Sequence, residues 1–469
     1  MSTAAQEASD KSRAPSYREV LRHPPVQVLS ISRFVSKMAN STLSYGVMVF
    51  LATAGASQFQ ISLASSAGYL AALIFGLQGG MLADSAPKRR VLSIAFIVQA
   101  AACFLLPTLV GTGIGALLVL IFLTSALSQV ISPGLKSVVA IVATPEQMAT
   151  TGALVNVVGS IGSAIGSSFL APILIKVSGI DAVLYVTGAL FLLGALRIRK
   201  LPEAEEDGAK SLSENIKSLD WKPRALSIRF NAEWIVAHRP VASMVLVRIF
   251  CAALFEGFNS LIPVYVREVL HEDPANSVYI FAPAGIGYLI GAVGGPWLIH
   301  WLGERKVAIV SIVLMSAGSI LLGSIGAVDT FFARFSPLRL LEPFFDINLS
   351  DAVLAAGVIA IPTNLGSTAS GQAVQVYINR NVPVMRQGGI FGLQSVQQNA
   401  FNLAAVLLLG IIATLTGPQY IFLVAPFLVG GIVLAMVRYS LRHLTGDRAK
   451  FGAGVEFLTQ EPENEDAAV

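Results

Sequence analysis

Long apolar runs separated by short polar turns fill most of the 469-residue chain. A helix needs roughly 20 predominantly apolar residues to cross the hydrocarbon core of a bilayer. Runs of that kind fall at 31–53, 60–82, 91–110, 114–139, 150–177, 180–197, 242–266, 279–301, 307–326, 351–378, 388–415 and 418–440. None alternates polar and apolar positions in the short strands of a membrane β-barrel. The pattern predicts an all-α membrane protein with twelve transmembrane helices.

Composition agrees, with 54% hydrophobic and 13% charged residues, too apolar for a soluble protein of this length. The segment before the first run is polar and mixed in charge, so no signal peptide is expected. Lys and Arg in short loops set membrane orientation. With the N-terminus in the cytoplasm, the loops after the second, sixth, eighth and tenth spans and the C-terminal tail hold nearly all of them. The opposite side keeps only Lys176, Arg267, Arg334 and Arg339. Both termini are therefore expected in the cytoplasm, in a multi-pass protein of the plasma membrane (cell inner membrane type). The net charge of +4 reads as topology and not as a nucleic-acid footprint. Cys103 and Cys251 sit inside spans in different halves, which offers neither a disulfide framework nor a metal spacing.

The longest polar interruption divides the runs six and six. The expected organisation is a cytoplasmic tail (1–22), a six-helix bundle (23–199), a cytoplasmic linker (200–237), a second six-helix bundle (238–443) and a cytoplasmic tail (444–469). Within the linker, Glu214 to Trp221 and Ile228 to Ala237 have helical spacing, and Trp221, Phe230 and Trp234 suit either the headgroup surface or the bundle. The halves echo each other. At an offset of 215, His23, Pro24, Val26 and Arg33 meet His238, Arg239, Val241 and Arg248, with Pro25 on Pro240. At 216, Gly79, Leu82, Arg89, Arg90 and Val91 meet Gly295, Leu298, Arg305, Lys306 and Val307, while His300 stands opposite Asp84. The second copy is read as having lost its acid. Two parallel repeats of six helices suit an axis along the membrane normal.

The loop Gly79-Gly80-Met81-Leu82-Ala83-Asp84-Ser85-Ala86-Pro87-Lys88-Arg89-Arg90 resembles the turn between the second and third helices of the major facilitator superfamily of membrane transporters. His23-Pro24-Pro25, Pro133, Pro145 and Pro383-Val384-Met385-Arg386-Gln387-Gly388-Gly389 look like the branch of siderophore and macrolide exporters. The resemblance covers about 17–443 and implies the major facilitator fold, two pseudo-symmetric six-helix bundles. It also implies that Asp84 acts as a latch facing the N-terminal end of the eleventh helix. Gly80, Asp84, Lys88, Arg89, Arg90, Gly388 and Gly389 form the gating set. Three departures stand out: Gly166-Ser167 replaces a Gly-Pro pair, Asn40 replaces an acid, and the fourth span lacks an arginine.

Among the residues themselves, Glu256 is the one carboxylate well inside a predicted span, near its midplane. An acid there must find a partner or take up a proton, so Glu256 is the proton-coupling candidate, with a structural hydrogen bond as the alternative. Arg248, two turns away, is too far for direct pairing. Arg33, Lys37 one turn beyond it, Lys136 and Arg248 would make one half of a cavity basic and favour anionic or zwitterionic solutes, or would snorkel to headgroups. Asn40, Gln129, Asn156, Gln372, Gln375, Gln394, Gln398 and Asn402 are candidates, with Lys37, to line a substrate cavity, or to act as glue between helices. Phe255, Phe258 and Tyr45 would supply apolar walls. Gly159, Gly162 and Gly166 have the spacing of a close helix contact. The aromatic segment from Phe331 to Phe345 suits an external interfacial stretch or lid.

No phosphate-binding loop, His-Glu-x-x-His or Gly-x-Ser-x-Gly motif occurs. An ATP-driven pump and an enzyme are thus disfavoured, and no catalytic residue, cofactor or metal is expected. The expected function is secondary active transport of a small solute by alternating access. Its expected form is proton-coupled export of a drug-like, siderophore-like or amphiphilic compound by a monomer in the lipid bilayer, with protons as the coupling ion. The alternatives are an uncoupled facilitator or lipid-like solute carrier, and a non-transporting membrane receptor or scaffold.

Overall fold

The computed structural model describes residues 17–84, 87–144, 147–201, 222–340 and 349–441. Both predicted tails, much of the linker including Glu214 to Trp221, and 341–348 of the aromatic segment lie largely or wholly outside them. Among the described residues every regular element is helical: α1 (Tyr17–Leu21), α2 (Pro24–Thr53), α3 (Gln58–Asp84), α4 (Lys88–Val110), α5 (Ile114–Val142), α6 (Met148–Ile165) and α7 (Ala171–Ile198), then α8 (Lys222–Ala237), α9 (Arg239–Glu268), α10 (Val278–Leu302), α11 (Glu304–Gly323), α12 (Ile325–Ala333), α13 (Asp351–Asn381), α14 (Val384–Thr416) and α15 (Pro418–Leu441).

Helix starts follow the prolines. Pro24, Pro240 and Pro418 occupy first turns, where a missing N–H costs nothing, and Pro87 and Pro383 directly precede α4 and α14. Gly303, with φ 80°, ends α10 and lets α11 begin at once. Between α6 and α7 the chain makes a π-helical turn, Gly166–Leu170, at the Gly166-Ser167 pair. α7 is itself broken at Gly179, whose φ of 74° only a residue without a side chain adopts easily.

Nine helical stretches among the described residues are long and apolar enough to cross a membrane. The sequence suggested twelve runs. The stretch 150–198 counts as one because helical hydrogen bonding continues through the π turn and past Gly179. α2 misses the criterion, carrying Arg33, Lys37, Asn40 and several serines, and only Pro418–Ile432 of α15 counts, as a shorter apolar helix.

The chain forms two compact units. One comprises 1–50 and 70–219, the other 51–69 and 220–469. In the first, α4 packs on α5 and α7, with Phe96 and Phe191 in contact at 6.5 Å in its core. In the second, α10 and α11 flank α13, and α9 packs on α14 and α15. Phe422 there lies 4.9 Å from Phe258 and 5.0 Å from Tyr265, whose hydroxyl donates to the Leu322 carbonyl at 2.6 Å. Linker helix α8 contributes Trp234 to the same unit's core beside Met244 and Ile390. Trp234 therefore joins the bundle, whereas Phe230 stays exposed. Both cysteines are buried and unbonded.

Candidate functional site

Glu256 lies in the middle of α9, so its position follows from the apolar run that makes that helix. Its Oε2 accepts a hydrogen bond of 2.8 Å from the hydroxyl of Tyr69, within the second unit. A carboxylate held by a phenol in an apolar span is partly compensated for its burial. Arg248, two turns earlier, lies in the field of Glu256 and packs its guanidinium against Gly371 of α13.

The contacts around Tyr69 extend toward the start of α3. Gln58 Nε2 donates to the Ser260 carbonyl and to Ser62 Oγ, both at 3.1 Å, and the Phe59 N–H donates to Thr414 Oγ1 at 3.0 Å. Ser62 packs directly on Gly410. Arg267 Nη1 donates to the carbonyls of Ala52 at 2.9 Å and Ala56 at 3.2 Å, and its Nη2 pairs with Glu268 at 2.8 Å. Thus 51–69 is fastened to α9 and α14 by polar bonds at several levels. Sequence reasoning missed Tyr69, Gln58 and Arg267. Tyr69 within the second predicted run and Gln58 just before it were the available signals.

In the first unit, α2 meets α5 on two rungs. Arg33 Nη1 donates to Ser132 Oγ at 2.9 Å, and Ser128 Oγ donates to Asn40 Oδ1 at 2.8 Å. Gln99 of α4 extends the upper rung by donating to Ser128 Oγ at 3.0 Å. α2 meets α6 along the predicted glycine stripe. A Cβ at Gly162 would stand 2.5 Å from the Phe34 carbonyl oxygen, and one at Gly166 would meet the Met38 carbonyl. Ser41 and Ser163 share a hydrogen bond of 2.5 Å on the same seam. Close approach explains the glycines.

The predicted lining residues separate in their contacts. Asn40 is spent on the α2–α5 rung and on the Ser36 carbonyl. Gln372 Nε2 bonds the Ala292 carbonyl at 2.9 Å and so ties α13 to α10. Gln129 reaches its own helix at Ser125, at 3.4 Å. Asn156 and Gln375 are exposed, Lys37 packs beside Gly159, and Gln398 is half-buried. Gln394 Oε1 and Asn402 Oδ1, two turns apart on α14, are buried with no hydrogen-bond partner among the described residues. Tyr45 and Phe258 are buried, and Phe255 packs on Val247, Cys251 and Met315.

Of the gating set, Gly80 lies near the end of α3 and Asp84 is its last residue, but the Asp84 side chain is outside the described residues. Lys88, Arg89 and Arg90 form the first turn of α4. Gly388 and Gly389 lie in the first turns of α14, and a Cβ at Gly389 would strike the amide of Asn231 on α8. Arg386 stacks over Phe230 at 4.9 Å and Trp234 at 5.9 Å. In the second copy of the loop, Glu304 opens α11 and pairs with Arg380 of α13. Position 300, opposite Asp84, holds a histidine, and Glu304 stands opposite Lys88 at the same offset.

The described residues contain no cluster suited to a metal ion. Known structures share the fold. The nucleoside transporter NupG superposes with a TM-score of 0.62 at 15% identity, covering 88% of this chain and 99% of its own. The peptide transporter POT gives 0.61 at 14%, covering 92% and 100%. A bacterial homologue of the iron transporter ferroportin gives 0.58 at 14%, covering 88% and 98%. At these identities the likeness concerns the fold alone. The family model of the Major Facilitator Superfamily matches residues 29–338, and this multi-pass membrane chain belongs to that superfamily.

Proposed function

We propose that the protein is a proton-coupled secondary transporter that exports a small drug-like, siderophore-like or amphiphilic solute by alternating access between two six-helix halves. Twelve crossings follow if 150–198 is divided at Gly179 and α2 and α15 are counted as spanning. The basic loops then put both termini in the cytoplasm of a plasma membrane of inner-membrane type. Family membership favours transport over catalysis. The observation that carries proton coupling is the Tyr69–Glu256 hydrogen bond at 2.8 Å in mid-span. An intramembrane acid held by a hydroxyl can exchange its proton when that grip is released. Gating is assigned to Asp84 with Lys88, Arg89 and Arg90 at the α3–α4 turn, acting against the Gly388-Gly389 start of α14.

The test is dye and solute flux in reconstituted vesicles under an imposed pH gradient, comparing wild type with Glu256→Gln and Asp84→Asn. Coupling predicts flux that follows the gradient in wild type and is lost in Glu256→Gln. Equal flux without a gradient, with the mutant behaving as wild type, would establish the alternative of an uncoupled facilitator. That alternative draws on Asn40, a neutral amide engaged with Ser128 where the exporter branch has an acid. Unchanged rates in Asp84→Asn would remove the latch.

A further inference from the structure

Arg33 was expected either to snorkel to the bilayer surface or to help make a cavity basic. The structure turns it inward, leaving only 6% of the residue exposed. Its guanidinium lies between α5 and α6. Nη1 donates to Ser132 Oγ at 2.9 Å, Nε has no hydrogen-bond partner, and a Cβ at Gly159 would stand 3.0 Å from that nitrogen. A neutral hydroxyl is the only hydrogen-bond partner of this buried cation among the described residues. Among the described residues a second cation stands nearby and no acid pairs with Arg33. Lys136, one turn beyond Ser132 on α5, is exposed. Lys37 crosses the same glycine, its Cγ 3.5 Å from the Gly159 Cβ position.

A buried guanidinium without a carboxylate is costly, and a like charge beside it adds to the cost. Structural arginines in membrane bundles pair with acids or carbonyls, or lead their charge out to the headgroups. Arg33 does neither. The fork of a guanidinium matches the two oxygens of a carboxylate or phosphate. Exposed Lys136, on the helix that holds Ser132, is placed to meet an approaching anion first.

We propose that Arg33, with Lys136 at its entrance, is an anion-recognition site in the first unit that takes a carboxylate or phosphate group. Resting on the transport reading, this makes the solute an acid, or places an anionic lipid headgroup beside its path. Ser132 holds the guanidinium in place, and Gly159 leaves room for it. In the second unit, Arg248 against Gly371 repeats the motif of an inward arginine on a glycine.

Binding can be read without transport. Purified wild type, Arg33→Gln, Arg33→Lys and Lys136→Gln would be titrated with inorganic phosphate and with citrate, using thermal unfolding at fixed ionic strength. The same proteins would be compared in phosphatidylcholine nanodiscs with and without phosphatidylglycerol. Removing an uncompensated charge should raise the unfolding midpoint of Arg33→Gln in the absence of anions. The site predicts that soluble anions stabilise wild type and that Arg33→Gln weakens their apparent affinity about tenfold or more, with Arg33→Lys intermediate. Stabilisation by phosphatidylglycerol alone, lost in Arg33→Gln, would assign the anion to a lipid headgroup. No stabilisation from either source, or an equal response in wild type and Arg33→Gln, would overturn the site. If Arg33→Gln does not fold, Arg33→Lys and Lys136→Gln carry the comparison. Anion binding without solute flux would leave the site standing and remove transport, whereas flux indifferent to solute charge, with no anion binding, would remove the site alone.

Discussion

The hydroxyl of Tyr69 and the carboxylate of Glu256 come from chain positions 187 residues apart and meet at 2.8 Å. A hydrogen bond to a charged group contributes about 1.5–3 kcal/mol. Tyr69→Phe should therefore change how tightly Glu256 holds its proton while leaving the fold intact. The expected outcome is gradient-driven flux reduced roughly tenfold, on the scale of about 1.4 kcal/mol per decade, with a displaced pH profile. A mutant with wild-type rate and profile would show that the phenol is only structural.

Arg267 holds the end of α2 and the turn after it through two carbonyls. In Arg267→Ala both carbonyls lose this donor, the Ala52 carbonyl keeping the Gly55 N–H, at a cost of about 1–3 kcal/mol. Hydrogen exchange should quicken across 51–60, and the unfolding midpoint in detergent should fall. Exchange as slow as in wild type would mean that Gln58 and the contact of Ser62 with Gly410 suffice.

The glycine stripe of α6 gives a paired prediction. Gly162→Val places a side chain against the Phe34 carbonyl and should destabilise the protein by about 1–3 kcal/mol or more through overpacking. At Gly152, on the same helix, a Cβ meets open space. Gly152→Ala should be neutral or stabilising by up to about 1 kcal/mol, because alanine suits a helix better. Chemical or thermal unfolding in one detergent compares the two, and equal effects would contradict the close α2–α6 contact.

Arg386 anchors α8 to the start of α14 by stacking on Phe230 and Trp234. Cation–π contacts of this kind contribute about 0.5–2 kcal/mol. Arg386→Ala should raise protease cleavage near Lys222 to Arg229 and redden Trp234 emission, with little change in global stability. Unaltered cleavage would show that the burial of Trp234 holds α8 unaided.

Much of the architecture was legible because apolar run length reports the helix directly. The runs 114–139, 279–301 and 351–378 became Ile114–Val142, Val278–Leu302 and Asp351–Asn381. Starts were less legible. The run beginning at residue 31 became a helix from Pro24, since hydropathy marks the hydrocarbon slab while prolines and backbone geometry mark the helix. Glu256 was identifiable from its cost in a membrane, but its partner was not, because the pairing depends on how α3 lies against α9. For the same reason the tie that Gln372 makes between helices could not be told from a cavity-lining role.

Residues 51–69 belong to the first repeat by sequence and to the second unit by contact. The boundary between the units by contact therefore does not coincide with the linker. A fragment ending at Leu201 would display Gln58, Phe59 and Ser62 without Ser260, Thr414 and Gly410 to receive them, and a fragment beginning at Lys222 would lack one wall of its own unit. Neither half is self-sufficient. Each should be insoluble or short-lived when made alone, and the two should recover activity when made together. The two lengths of chain thus complete each other through 51–69, in the manner of partners exchanging an element.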